Sequence, residues 1–201
     1  MRRNSLILYF ILCIFLIFTT TCFASDRSPK RIAILPIINE TGNAQPEIEQ
    51  YIKAELEDKL HIPLNGTLHI YEYIPQTDIL KVLPELNIPD KSHKFDMNRL
   101  KAAAEEVSAD LIVGVVITSL YEYQYPHWEE TFLDSNVTLH LIGYDKTKDK
   151  FINLKSQESY NGEYSLPGTI DALSHEALNK LLNKIDFKKD VFPIIPTKTL
   201  T

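Results

Sequence analysis

The chain has 201 residues, 24% of them charged and 44% hydrophobic, and its 27 acids outnumber 21 bases for a net charge of −6. Apolar and aromatic content is ordinary for a globular domain, which excludes a disordered chain. The acidic balance lacks the basic footprint of a nucleic-acid binder.

The chain opens on a targeting segment. Arg2 and Arg3 precede 13 uninterrupted apolar residues, Leu6 to Phe18; Thr19 to Thr21 breaks the run, and Ala24 stands before Ser25. This is the three-part layout of a secretory signal peptide, and the apolar run is short of the roughly 20 residues a bilayer span needs. Cleavage is expected between Ala24 and Ser25. An uncleaved anchor reaching Ala24 and a lipid-modified Cys22 are the alternatives. Cleavage removes both cysteines, Cys13 and Cys22, so no thiol, disulfide or thiolate metal site would remain, as suits an oxidising compartment.

Residues 25–30 read as a polar linker and residues 31–190 as one domain. Arg31 to Ile38 is an apolar run expected to be a buried strand, with Pro36 at its end or edge. A turn, Asn39 to Asn43, leads to Pro46, which suits the first turn of a helix. Ile48, Ile52, Leu56 and Leu60 recur every fourth residue and predict an amphipathic helix ending near His61, before Pro63. Thr67 to Ile74 is β-branched and aromatic, a second strand. Thr77 is the expected cap of a short helix over Asp78 to Leu83, and residues 89–95 form a polar loop.

Asp96 is expected to cap a helix whose inner face is Met97, Leu100, Ala103, Ala104 and Val107. Leu111 to Tyr123 is a third strand, Asn136 to Tyr144 a fourth, and Phe151 to Tyr160 a fifth, the last two joined by a charged turn, Asp145 to Asp149. Ile170, Leu173, Ala177, Leu181 and Ile185 mark a final helix, and residues 191–201 form a loose tail. The order β-α-β-α-α-β-β-β-α predicts an α/β domain, specifically α+β: one mixed sheet of about five strands. The early strands are parallel with right-handed crossovers, the last three are antiparallel, and helices pack on the sheet.

Two stretches carry a resemblance. Ile32-Ala33-Ile34-Leu35-Pro36-Ile37-Ile38-Asn39-Glu40-Thr41-Gly42 is similar to the opening of exported bacterial envelope domains, among them the TolB amino-terminal domain and the CsgG-like curli secretion family. Ser108-Ala109-Asp110-Leu111-Ile112-Val113-Gly114 is similar to the segment that leads their third strand. Lipoprotein activators of penicillin-binding proteins share a similar fold. Ile37 stands where Phe is usual, Ser108 where Gly is usual, and Gly114 comes one residue early. The resemblance spans most of residues 31–185 and implies fold and compartment. It supplies no catalytic residues, because such domains mainly bind other proteins, and neither pore formation nor TolB's assembled role is expected to carry over.

No catalytic or metal-binding pattern accompanies it. The six histidines, His61, His69, His93, His127, His140 and His175, show no ligand spacing. The serines lack a nucleophile elbow, and no glycine cluster offers a phosphate cradle. No cofactor is implied. One segment is distinctive: Tyr121 to Phe132 holds the only tryptophan and three of the ten tyrosines. Tyr123, Tyr125, His127 and Trp128 are the candidate partner-binding residues, on a loop that Pro126 begins by ending the strand ladder. The competing reading folds Trp128 back onto the core.

The function expected is an exported non-enzymatic binding module of the bacterial cell envelope, an accessory or assembly factor whose partner is an envelope protein or a second copy of itself. The alternative is a small exported hydrolase whose histidine and carboxylates meet only in three dimensions.

Overall fold

A computed structural model describes residues 30–60, 71–87 and 96–187. The expected signal segment with Ala24 and Ser25, most of the linker, residues 67–70 of the second strand, the polar loop and the tail lie outside the described residues.

A six-stranded sheet runs in the spatial order β3-β1-β4-β5-β6, with β2 alongside β4. β1 (Lys30–Ile34) pairs in parallel with β3 (Tyr71–Tyr73) and with the start of β4 (Leu111–His127). β2 (Ile38–Asn39) pairs in parallel with β4 further along, at Val116 and Ile117. β5 (Glu130–Asp145) and β6 (Lys150–Glu163) add antiparallel. The helices are α1 (Pro46–Leu60), α2 (Gln76–Val82), α3 (Met97–Glu106) and α4 (Ile170–Leu182), with short 3-10 turns at Pro84–Asn87 and Leu166–Gly168. The mixed sheet with helices packed on it is the predicted fold class.

Both faces of the sheet are covered, but unequally. Ile48, Ile52, Leu56 and Leu60 of α1 and Leu173, Ala177, Leu178 and Leu181 of α4 bury themselves on one face, against Ile32, Leu111, Val113, Val115 and the middle of β5. Ile79 of α2 and Leu100, Ala103 and Ala104 of α3 cover the other, against Ala33, Ile112, Val116, Ile142 and Tyr144. Among the buried strand residues of that second face, β4 is represented no further than Val116.

The two family-like stretches meet in space. Asp110 Oδ2 accepts from the Arg31 backbone N–H at 2.9 Å, and the Asp110 N–H donates to the Arg31 carbonyl at 2.8 Å. Asn39 Oδ1 accepts from both the Thr41 N–H and its hydroxyl, while Asn39 Nδ2 reaches Glu49 in the first turn of α1. The Asn-Glu-Thr-Gly motif is therefore a side-chain-tied turn that docks α1, completed by Gly42 at φ 74°. Gly114 lies so close to Leu35 that an added Cβ would sit 2.7 Å from the Leu35 Cβ. Arg31, Leu35, Asp110 and Gly114 build the seam between β1 and β4, and Asn39 to Gly42 tie β2 to α1.

The structure corrects several boundaries. The expected strand 31–38 is two strands, broken over residues 35–37 because Pro36 cannot donate to a ladder. Thr77 does not cap α2, which begins two residues earlier than expected, at Gln76 behind Pro75, with no side-chain cap. α4 stops at Leu182, short of Ile185. Pro126 does not end the β4 ladder: it pairs with Thr131, and His127 pairs with Glu130 around a two-residue turn. The closing pair of such a turn is hydrogen-bonded, so Pro126 occupies a non-hydrogen-bonded position and its missing N–H faces away from β5, where no described strand pairs with it. Residues 121–132 are thus mostly strand, and β5 begins at Glu130 rather than Asn136.

Candidate functional site

On the α2/α3 side β4 and β5 run on as an arm beyond the buried strand residues of that face, while the start of α4 stays against the other side. The ladder shifts register between Ile117 and Ser119, so Thr118 is a bulge that changes which face later side chains take. Before it, Leu111, Val113, Val115 and Ile117 point to the α1/α4 face; after it, Leu120 does. Alternation then puts Glu122 and Gln124 on that same face and Ser119, Tyr121, Tyr123, Tyr125 and His127 on the other. From Thr118 to His127 the arm extends about 30 Å at 3.4 Å per residue.

The back of the arm is braced. Glu122 accepts from the Ile170 N–H at 2.9 Å, at the first residue of α4, and also from Gln124 Nε2 at 3.1 Å. Ser135, fully buried, donates its hydroxyl to the Gly168 carbonyl. The Tyr160 ring lies against Gly168, where a Cβ would fall 2.4 Å from the ring. Leu133 and Val137 fill the space between.

The front is bare and aromatic. Tyr123 stacks on Tyr125 with ring centroids 5.7 Å apart, and Tyr125 on Phe132, its cross-strand partner, at 5.9 Å. His127 meets the Phe132 ring edge-on at 5.5 Å and Trp128 at 6.3 Å. Tyr121 donates to Asp134 at 3.5 Å. Tyr121 is 46% exposed, Tyr123 63% and Trp128 93%. Trp128 occupies the first position of the tip turn with φ 59°, a left-handed conformation in which that turn favours glycine.

Of the residues singled out from sequence, Tyr123, Tyr125 and His127 share this face and Trp128 ends it; none is folded into the core. Asp134 and Glu163, the cross-strand partners of Tyr123 and Phe132, belong to the same face and were missed, since the bulge that sets its register leaves no local mark.

Elsewhere, a crevice of about 610 Å³ opens at the carboxyl end of β1, lined by Leu35, Pro36, Lys53, Glu57, Tyr73 and Gln76 among others. Lys53 stands 3.9 Å from Glu57. Burial, and then the Glu57 charge, push the Tyr73 phenol above its ordinary range. Among the described residues no histidine lines it. His175 stacks flat on Tyr51 at 3.7 Å, joining α4 to α1, with its Nε2 3.8 Å from Asp171. His140 is half-buried on β5; His61, His69 and His93 lie outside the described residues. Among the described residues no three potential ligands gather to hold a metal ion, and no helix is long and apolar enough to cross a membrane.

No known protein family matches the sequence, and no curated protein does. Solved structures give distant likenesses. The hypothetical protein CT253 from Chlamydia trachomatis is 12% identical, with a TM-score of 0.41 over 80% of this chain and 97% of that one. Lipoprotein GNA1162 from Neisseria meningitidis is 14% identical, with a TM-score of 0.41 over 77% and 99%. The LpoB C-terminal domain from Escherichia coli is 10% identical, with a TM-score of 0.33 over 75% and 93%. Likenesses this distant assign neither activity nor partner.

Proposed function

We propose that the chain is an exported, non-enzymatic protein-binding module of the bacterial cell envelope, an accessory or assembly factor that docks through the aromatic face and tip of the β4–β5 arm. The signal-like segment and the resemblance to TolB-type and CsgG-like domains support the compartment. The family-like residues themselves are spent on the β1–β4 seam and on the turn that docks α1, so the contact surface is sought elsewhere.

The observation that carries the reading is Trp128, 93% exposed at a positive φ. A left-handed conformation costs an ordinary residue about 1–2 kcal/mol, and a ring this exposed contributes almost nothing to packing. Both costs are accounted for by a contact outside the fold. The tyrosines extend the same surface, and exposed aromatic clusters rimmed by polar groups mark docking sites. The geometry suits a reaching role. β1 and β4 are parallel, so the chain enters at Lys30 at one end of the sheet and the tip of β4, 17 residues long, lies at the other.

The test is affinity capture from envelope extracts with the exported chain and with its Tyr123→Ala/Trp128→Ala variant. One or more proteins retained by the native chain and depleted at least about tenfold by the variant support the reading, the size of effect two anchor residues produce. The same proteins retained equally by both would refute it.

A further inference from the structure

The arm's front face is as one-sided in charge as in shape. Between Ser119 and Ser135 the sequence holds Glu122, Glu129, Glu130 and Asp134 and neither lysine nor arginine. Glu122 is committed to the back of the arm, where it caps α4. Glu130 faces His127 across the ladder, Asp134 faces Tyr123, and Glu163 faces Phe132. Side chains directly opposite in an antiparallel ladder lie on one face, so three carboxylates flank the aromatic row. Among the described residues no lysine or arginine forms a salt bridge with any of them.

We infer, building on the docking role proposed above, that the occupant of this face is an extended segment of a partner protein carrying arginine or lysine at alternate positions. Such a segment complements the face both in charge and in spacing. Tyr121, Tyr123 and Tyr125 repeat every second residue, about 6.8 Å apart. An extended segment repeats its own side chains with the same period. Cations on one side of it therefore fall over successive rings, where the ring quadrupole attracts them. Guanidinium adds flat stacking on tyrosine and forked hydrogen bonds to carboxylate, which favours arginine over lysine. Trp128, beyond Tyr125, closes the row. An anionic segment would meet like charge from Glu130, Asp134 and Glu163, and an anionic bilayer surface would be repelled for the same reason.

The chain reports on this itself, because Trp128 is its only tryptophan. The exported chain is titrated with three synthetic peptides, alternating Gly-Arg, Gly-Gln and Gly-Glu, and with phosphatidylcholine vesicles, following Trp128 emission. The expected result is saturable binding of the Gly-Arg peptide alone, weakening as salt is raised. It should weaken at least about tenfold in Glu130→Gln/Asp134→Asn/Glu163→Gln, as loss of several charge-assisted contacts implies. Circular dichroism verifies that this variant, altered only outside the core, is folded. Equal binding of the Gly-Gln peptide, undiminished Gly-Arg binding by the variant, no binding of the Gly-Arg peptide, or an emission shift with vesicles instead would each overturn the inference. If it falls while Tyr123→Ala/Trp128→Ala still loses its captured protein, the docking role stands and only the partner's chemistry is wrong. If capture is also unchanged, the docking role fails too.

Discussion

Replacing Trp128 should separate folding from docking, because binding is lost while stability barely changes. Its ring is 93% exposed, so no more than about 20 Å² of it is covered, worth about 0.5 kcal/mol at 25 cal/mol per Å². Trp128→Ala loses that and keeps the positive φ, so the chain should be less stable by about 0.5 kcal/mol. Trp128→Gly loses the same contact but relieves about 1–2 kcal/mol of left-handed strain, against about 0.5–1 kcal/mol of extra chain entropy in the unfolded state. The glycine variant should therefore match or slightly exceed the native chain and stand about 1 kcal/mol above the alanine variant, a gap of about 2–4 °C in Tm at this size. Urea unfolding followed by circular dichroism measures both, since neither variant keeps a tryptophan. Each should lose partner binding. A loss of about 3 kcal/mol or more in Trp128→Ala, the cost of a core aromatic, would refute the placement of the ring and the docking role with it.

Ser108→Gly should stabilise the chain by roughly 0.5–1 kcal/mol in the same assay. Ser108 sits at φ 55° just past α3, where the Ser108 N–H donates to the Glu105 carbonyl and the Ala109 N–H to Ala104, the left-handed helix stop that glycine adopts without strain. Gly143→Ala should destabilise by about 3 kcal/mol by calorimetry, because its Cβ would lie 2.5 Å from the Ile112 carbonyl oxygen, in backbone that cannot give way. His140 is held below its ordinary pKa by burial and then by the Lys155 ammonium, with Glu40 opposing. The unfolded chain therefore takes up the proton first, and stability falls as pH drops from about 6.5 through the folded value. Thermal melts between pH 7.5 and pH 5 should show a decline in the native chain that is smaller in His140→Gln.

The helices were legible because their signals are local. Ile48, Ile52, Leu56 and Leu60 fixed the face of α1, and Asp96 caps α3 as its sequence predicts, accepting from the Asn98 N–H at 3.1 Å. Ser108 was legible only as a departure from a pattern; its backbone angle explains why glycine is usual there. The arm was half legible. Its aromatic residues could be named, but not the strand that holds them. The polar stretch Glu129 to Ser135 reads as loop, yet Glu130 to Ser135 pair with β4 on one side and β6 takes up the other from Phe132 onward. Pro126 reads as a stop, yet its missing donor faces away from β5, where no described strand pairs with it. Thr118 is an unremarkable residue in a β-branched run, and its bulge alone decides that the tyrosines face away from α4. Each of these depends on the partner strand, which periodicity within one segment does not encode.

The central claim is that Trp128 is open in the isolated chain and covered in its complex. Acrylamide quenching of the single tryptophan measures this directly, first on the purified chain and then on the complex recovered by affinity capture. Quenching should be nearly unhindered in the free chain, with protection and blue-shifted emission in the complex once the partner's own tryptophan signal is subtracted. Protection already in the free chain, or quenching unchanged in the complex, would contradict it.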